Sequence, residues 1–573
     1  MTVGSFAVLA MAIAVTVALT LLARPRGAST LDFYLAGQRI GVVTNACAIC
    51  GDYFSAASFL GVAAAVYASG LDGVWYATGF AAGFVPVLLF VAAPLRRFGE
   101  FSIPDFLGRR LQSEHVRLCA VIVVELVILS YLVPQAVGSG ITWELLVGKG
   151  IAGLSPYATG VLVSTAVITG LVAFGGMRGT TWTQAVQFLF LLAVLGWLAA
   201  ATFSAGFSYP AAVERLGQQP LANPALDQSG WRLEAETNQL HADVPARFSQ
   251  PGARYGSFGQ FALVMTLVMG TAGLPHVMNR YFTSPSGRAA RLTTVWVLGL
   301  AGLFYALAVL LGTAARAVVP SAIPGNPWLA DLTVDGVLQV PEHALLVLGR
   351  LHADSAGLGI IATGALVAVM STIAGLLLAA AASWGHDVYE RHINPAATQR
   401  QAVRAGRIAV AAAASLSALL ALRLQPESLS ALFPSIVATM VTWAFALAGS
   451  ALTPVLLLAI WWRRTTAAGA VAGMLIGAGT AIALFAVGIG TGAGAAGIRG
   501  ALLTPTLFAA PLAMLVAVGV SRLTTAPADT DRLWLILHGT AADRQAERLA
   551  QLTIAGVSGD GRTSSRARRS VIR

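Results

Sequence analysis

Of 573 residues, 57% are hydrophobic and only 11% charged, with a formal net charge of +11 and a mean hydropathy of +0.74. That balance excludes an ordinary soluble domain, and apolar stretches of the roughly 20 residues a helix needs to cross a bilayer recur along the chain. They are too continuous, and alternate in polarity too rarely, to be barrel strands.

In chain order, hydropathy predicts an all-α polytopic membrane protein of about thirteen transmembrane helices, at 3–22, 42–69, 74–94, 117–147, 156–174, 182–204, 257–278, 292–315, 356–383, 404–422, 429–462, 466–489 and 501–521. The stretch 429–462 is long enough to hold a break near Pro434. The first span has the apolar core of a signal peptide, but no small-residue cleavage site precedes Arg24-Pro25-Arg26, so it reads as an anchor. Between spans, 205–256 is rich in Pro, Gln, Asn and mixed charge, and 316–343 leads to a short re-entrant helix expected over 343–352. The tail carries an amphipathic candidate, Asp531–His538, and a Gly/Ser/Arg-rich end read as disordered.

Basic residues alternate from loop to loop. If the N-terminus is outside, Arg24, Arg26 and Arg39, then Arg96, Arg97, Arg109, Arg110 and Arg117, then Arg178, then Arg280, Arg288 and Arg291, and the later clusters all face the cytoplasm, as does the C-terminal tail. The positive charge therefore reads as topology and attraction to the lipid bilayer, not as nucleic-acid binding. Cys47, Cys50 and Cys119 lie within predicted spans and read as small packing residues, with no disulfide expected.

An ionisable group inside a membrane is costly and marks a functional candidate. Asp52, in Gly51-Asp-Tyr-Phe-Ser55, is such a group, and Ser55 and Ser58 follow three residues apart on one helical face. A helix interrupted here frees carbonyls for a cation and aims the amides of the resumed half at an anion. The alternative is a continuous helix with Asp52 against a polar neighbour. Inverted repeats require a matching second break, and Gly270-Thr-Ala-Gly273 followed by Pro275-His276 supplies a candidate; a flexible packing helix ending at Pro275 is the plainer reading. His276 reads as a structural hydrogen-bonding group. Further along, Ala368, Ser371 and Thr372 stand at i, i+3 and i+4, placing one carbonyl region and two hydroxyls on a single face. Together with carbonyls from a broken helix they form a plausible cage for a hard cation such as sodium. Alone the pair is weak, because membrane hydroxyls usually bond back to their own helix.

These residues resemble the sodium:solute symporter family, most closely its acetate (monocarboxylate) permease branch, over nearly all of the membrane region. Thr30-Leu-Asp-Phe-Tyr-Leu-Ala-Gly-Gln38 is similar to the segment before the family's first core helix, and the stretch Gly51–Gly73 to the acetate branch in particular. Phe174-Gly-Gly-Met-Arg-Gly-Thr-Thr-Trp-Thr-Gln184, Gly270-Thr-Ala-Gly-Leu-Pro-His276 and Trp384-Gly-His-Asp-Val-Tyr389 are also similar to family motifs. The outer segment 205–256 and the tail look longer than the family norm.

The resemblance implies a 5+5 inverted-repeat core with discontinuous first helices. The implied layout is an N-terminal anchor and loop (1–41), repeats at 42–204 and 257–465 separated by an extracytoplasmic loop (205–256), two further helices (466–521) and a cytoplasmic tail (522–573). It implies a sodium site made of the carbonyls of Gly51, Phe54 and Ala368 and the hydroxyls of Ser371 and Thr372, with Na+ as coupling ion and not as a prosthetic group. Substrate contacts are expected from Ser55, Ser58, Tyr131, Gln135 and Thr271; Asp52, Gly270 and Gly273 are expected to shape the breaks or couple them. With no Lys or Arg expected mid-bilayer, a carboxylate falls to half-helix amides and hydroxyls.

The implied function is alternating-access import of a small monocarboxylate such as acetate, coupled to sodium, across the plasma membrane. Proton coupling, a symporter of proline or another small solute, an uncoupled facilitator and a transporter-derived sensor are the alternatives. An enzyme is not expected, since no nucleophile, base and orienting group fall together, and no obligate protein partner is evident.

Overall fold

The apolar stretches fold as helices whose starts are fixed by serine and threonine caps at the ends of the bundle. In the computed structural model, residues 3–23, 30–99, 101–217, 248–249, 256–424, 436–490, 502–540 and 542–543 are described. The break expected near Pro434, most of the 205–256 loop and the basic end of the tail lie outside these residues.

The elements that position the site are α1 (Val3–Ala23), α2 (Thr30–Leu35), α3 (Val42–Tyr53) and its continuation α4 (Val62–Ser69). They continue with α5 (Ile103–Arg110), α6 (Glu114–Val147), α7 (Pro156–Ser204), α8 (Gly256–Gly273) and α9 (Pro275–Phe282). The remainder are α10 (Gly287–Ala322), α11 (Ala344–Ala382), α12 (Gln399–Arg423), α13 (Ala467–Gly490), α14 (Thr506–Leu523) and α15 (Thr530–His538). Ser113, Ser155 and Ser286 each accept a hydrogen bond from the first turn of α6, α7 and α10, and Thr398 forms a capping box with Gln401 on α12, so orphan amides are served where the chain enters the bilayer.

Among the described residues nine helices are long and apolar enough to cross a membrane, or ten if the bent pair α8–α9 counts as one span. The protein is a multi-pass membrane protein, and among the described residues the thirteen expected spans do not each form a separate helix. Two of the nine, Ala57–Phe98 and Pro156–Ser204, are 42 and 49 residues long, about twice what one crossing needs. Each turns internally at a glycine with positive φ, Gly70 at 62° and Gly176 at 55°, a conformation that side chains disfavour. The expected spans 74–94, 156–174 and 182–204 are absorbed there.

Two other helices are interrupted. After α3 the chain leaves helical geometry at Phe54 (φ −81°, ψ 82°) and resumes through a π turn at Ala57–Gly61. Leu274 (φ −68°, ψ 117°) separates α8 from α9, which meet at 42°. Both breaks fall inside the stretches the sequence marks, Gly51–Ser55 and Gly270–His276, although Asp52, Gly270 and Gly273 themselves are helical and the glycines serve close packing. A Cβ on Gly270 would lie 2.6 Å from Phe445 atoms, and one on Gly273 2.5 Å from Thr453 Oγ1. The most apolar stretch of α11 is buried inside the bundle, and the helix packs on α1, α3, α6 and α7, which makes it the axis of the bundle. Its first turns, 344–352, are set off by a kink at Ala353 and Asp354; a two-residue hairpin, Thr333–Val334 with Val337–Leu338, precedes them.

Candidate ion and substrate site

The interruption after α3 determines which backbone groups are open. The Ser55 amide turns onto the Tyr53 carbonyl (3.0 Å), the Ser58 amide onto the Ser55 carbonyl (3.0 Å), and the Ala56 amide onto Gln135 Oε1 (3.2 Å). In an unbroken helix those amides would serve the carbonyls of Gly51, Phe54 and Asp52. The break therefore turns the helical donors away from Gly51 and Phe54, the two carbonyls implied as cation ligands. The Asp52 carbonyl instead accepts from Thr372 Oγ1 at 2.8 Å.

Facing it on α11, Ser371 Oγ donates to the Ala368 carbonyl at 2.9 Å, and Ala368, Ser371 and Thr372 are all fully buried. Thus Asp52, Ala368, Ser371 and Thr372 come together where α3 unwinds. Glycine is required here for close approach: a Cβ on Gly51 would lie 2.3 Å from the Gln184 carbonyl, and one on Gly375 1.8 Å from Asp52 Oδ1.

Asp52 does not stand alone. Arg280, on α9, approaches Asp52 Oδ2 at 3.3 Å, with both side chains essentially inaccessible (1% and 0%). Its other nitrogens donate to Thr181 Oγ1 at 2.7 Å and to Gln184 Oε1, while Gln184 Nε2 donates to the Ser371 carbonyl at 2.6 Å. The sequence reading left Arg280 in a loop and gave Gln184 no role. The available signal was chemical: a buried carboxylate needs a counter-charge, and Arg280 follows Pro275 closely enough to lie inside the second half-helix. Thr181 and Gln184, at i and i+3, share one face of α7.

The residues expected to meet substrate divide into two groups. Ser58 Oγ is bonded to Tyr305 Oη (2.9 Å); Thr271 Oγ1 donates to the Leu267 carbonyl (2.8 Å) and meets Tyr53 Oη at 2.8 Å. Both hydroxyls are already used. By contrast, Ser55 Oγ and Gln135 Nε2 are buried without a hydrogen-bond partner. The Tyr131 hydroxyl lies beside Ser55, and its ring meets His276 edge-on at 5.4 Å and Phe445 at 5.8 Å. His276 is 2% exposed, and neither of its ring nitrogens has a partner. A structural hydrogen-bonding histidine would show one. Buried polar atoms left open in this way are costly unless something else satisfies them.

Broken helices that present open carbonyls beside hydroxyls, with unsatisfied donors one turn away, are the site of a secondary transporter. The chain belongs to the sodium:solute symporter family, whose description matches residues 33–477; it is a transporter and not an enzyme. It is 31% identical over 476 residues to the uncharacterized symporter YwcA of Bacillus subtilis, covering 82% of this chain and 84% of that protein. It is also 31% identical over 479 residues to the monocarboxylic acid transporter of Corynebacterium glutamicum, covering 82% and 81%. Among solved structures, a substrate-bound, outward-open Na+-coupled sialic acid symporter superposes with a TM-score of 0.65 at 15% identity, covering 92% of this chain and 99% of its own. That likeness shows the common fold.

Proposed function

We propose that the chain is a sodium-coupled symporter of a small monocarboxylate such as acetate, working in the plasma membrane with its N-terminus outside and its C-terminus in the cytoplasm. Its two five-helix repeats are 42–204 and 257–465. The observation that carries the reading is the opening at Phe54–Ser55: the amides of Ser55 and Ser58 turn away from the Gly51 and Phe54 carbonyls, Thr372 Oγ1 donates to the Asp52 carbonyl between them, and Ser55 Oγ and Gln135 Nε2 are without partners. Sodium is received by the Gly51 and Phe54 carbonyls with Ser371 and Thr372, joined by the Ala368 carbonyl. The carboxylate is received by Ser55 and Gln135, with Tyr131 and His276 beside it.

Both solutes then share one unwound segment, which is why binding of each favours the other. Arg280 is committed to Asp52, so the anion is held by neutral donors, and Asp52 couples α3 to α9. A named relative that carries monocarboxylic acids, at 31% identity, supports the substrate class.

The test is uptake of labelled acetate, pyruvate and proline into proteoliposomes, with sodium and proton gradients imposed separately. Acetate or pyruvate accumulation driven by sodium alone is the expected result. Accumulation driven only by protons, selective uptake of proline, or uptake indifferent to both gradients would each overturn the proposal.

A further inference from the structure

At the end of the bundle that the proposed orientation puts in the cytoplasm, a second buried polar cluster lies apart from the transport site. It is built by α5, the start of α6 and the π-helical segment Ser383–Ile393 that continues α11. Asp105, His386 and Asp387 each offer an atom, all three within 4.8 Å of one another, and the residues are 1%, 5% and 0% exposed.

Each of the three is anchored by a neighbour outside the group. His386 Nδ1 is 2.8 Å from Glu390 Oε2, which fixes the ring and turns Nε2 inward; Nε2 has no hydrogen-bond partner. Asp387 Oδ2 accepts from Ser102 Oγ at 2.7 Å, whereas Oδ1 is unpartnered, with Arg117 Nη1 3.7 Å away. Asp105 Oδ1 is held by Arg117 Nη1 at 2.5 Å, with Arg391 Nη2 at 4.0 Å, and Oδ2 accepts from the Phe101 amide at 3.3 Å.

The gap between His386 Nε2 and Asp105 Oδ2 is 3.6 Å. That is too long for a hydrogen bond. With metal–ligand bonds of about 2.0–2.2 Å, two neighbouring ligands of a tetrahedral cation stand roughly 3.3–3.6 Å apart. A carboxylate on the outer nitrogen of a histidine whose inner nitrogen points at two aspartates is also the arrangement that orients metal-binding imidazoles.

We propose that Asp105, His386 and Asp387 form a binding site for a divalent transition cation of the zinc class, oriented by Glu390 and Ser102 and reached past the half-exposed Glu390 and Glu114. The site joins α5 to the end of the helix that carries Ser371 and Thr372, so an occupied site restrains that end of α11. The experiment is titration of the tag-free, full-length protein in detergent with Zn2+ against a chromophoric chelator, with Co2+ absorption as a report on geometry. One equivalent is expected, with a tetrahedral Co2+ spectrum. His386→Gln and Asp387→Asn should weaken binding by at least tenfold, and Glu390→Gln, which touches no buried ligand atom of the cation, by about 10–100-fold. Ser371→Ala should leave it unchanged. Absence of stoichiometric binding, as when His386 is simply protonated between the carboxylates, overturns the proposal, and so does affinity unchanged from the parent protein in Glu390→Gln and in whichever of the other two variants folds.

Discussion

Replacing Arg280 with Gln removes the charge that faces Asp52 and leaves the carboxylate fully buried, where Oδ1 already has no hydrogen-bond partner. Loss of one partner from a buried, hydrogen-bonded ion pair costs about 3–5 kcal/mol, because the remaining charge is left uncompensated in low dielectric. The contacts of Arg280 with Thr181 and Gln184 place its loss at the upper part of that range. Asp52→Asn strands the arginine instead, though Thr181 and Gln184 still hold it, so a smaller loss is expected. When both are neutralised, no charge is stranded, and the double variant should be less destabilised than the sum of the singles by about 0.5–3 kcal/mol. Chemical unfolding of the purified chain in detergent measures all three. Single variants within about 1 kcal/mol of the parent, or strictly additive losses, would refute the claim that these two groups are a desolvated pair.

Ser371→Ala and Thr372→Ala should each raise the sodium concentration for half-maximal uptake by about 10–150-fold, the equivalent of about 1.5–3 kcal/mol for a contact to a charged group; an unchanged value in the double variant contradicts the assigned cage. Gln135→Glu keeps the oxygen that accepts from Ala56 but replaces the open amide with a negative charge. The KM for acetate should therefore rise at least tenfold while assembly in the membrane is retained, as read by initial uptake rates. Gly375→Ala drives a methyl into Asp52 Oδ1, and overpacking of this kind costs about 1–3 kcal/mol; a lowered thermal midpoint in detergent is the check.

Much of the fold was legible because a bilayer permits few solutions: apolar length and the two stretches that hold the breaks, marked by glycine or proline, follow from the sequence. That a break lies within 51–55 was visible because a carboxylate, a glycine and closely spaced hydroxyls have no reason to share a lipid-facing helix. Its exact residue was not, since Gly51 and Asp52 stay helical and the turn falls on Phe54, whose sequence carries no breaker. The same limit applies to Gly270 and Gly273, which look like a break but serve contact with Phe445 and Thr453. Arg280 was missed because counting basic residues assigns every arginine near a span end to a loop. Only the three-dimensional pairing with Asp52 reveals that it belongs inside. The partners of the Ser58 and Thr271 hydroxyls, Tyr305 and Tyr53, were not foreseen, because such long-range contacts leave no periodic mark in the sequence.

The most direct measurement is calorimetric titration of the purified protein with acetate at several fixed sodium concentrations, and with sodium at several fixed acetate concentrations. Because one unwound segment serves both solutes, each should tighten the other by the same factor, and that factor should fall to one in the Ser371→Ala/Thr372→Ala variant. Acetate affinity independent of sodium in the parent protein would contradict the account.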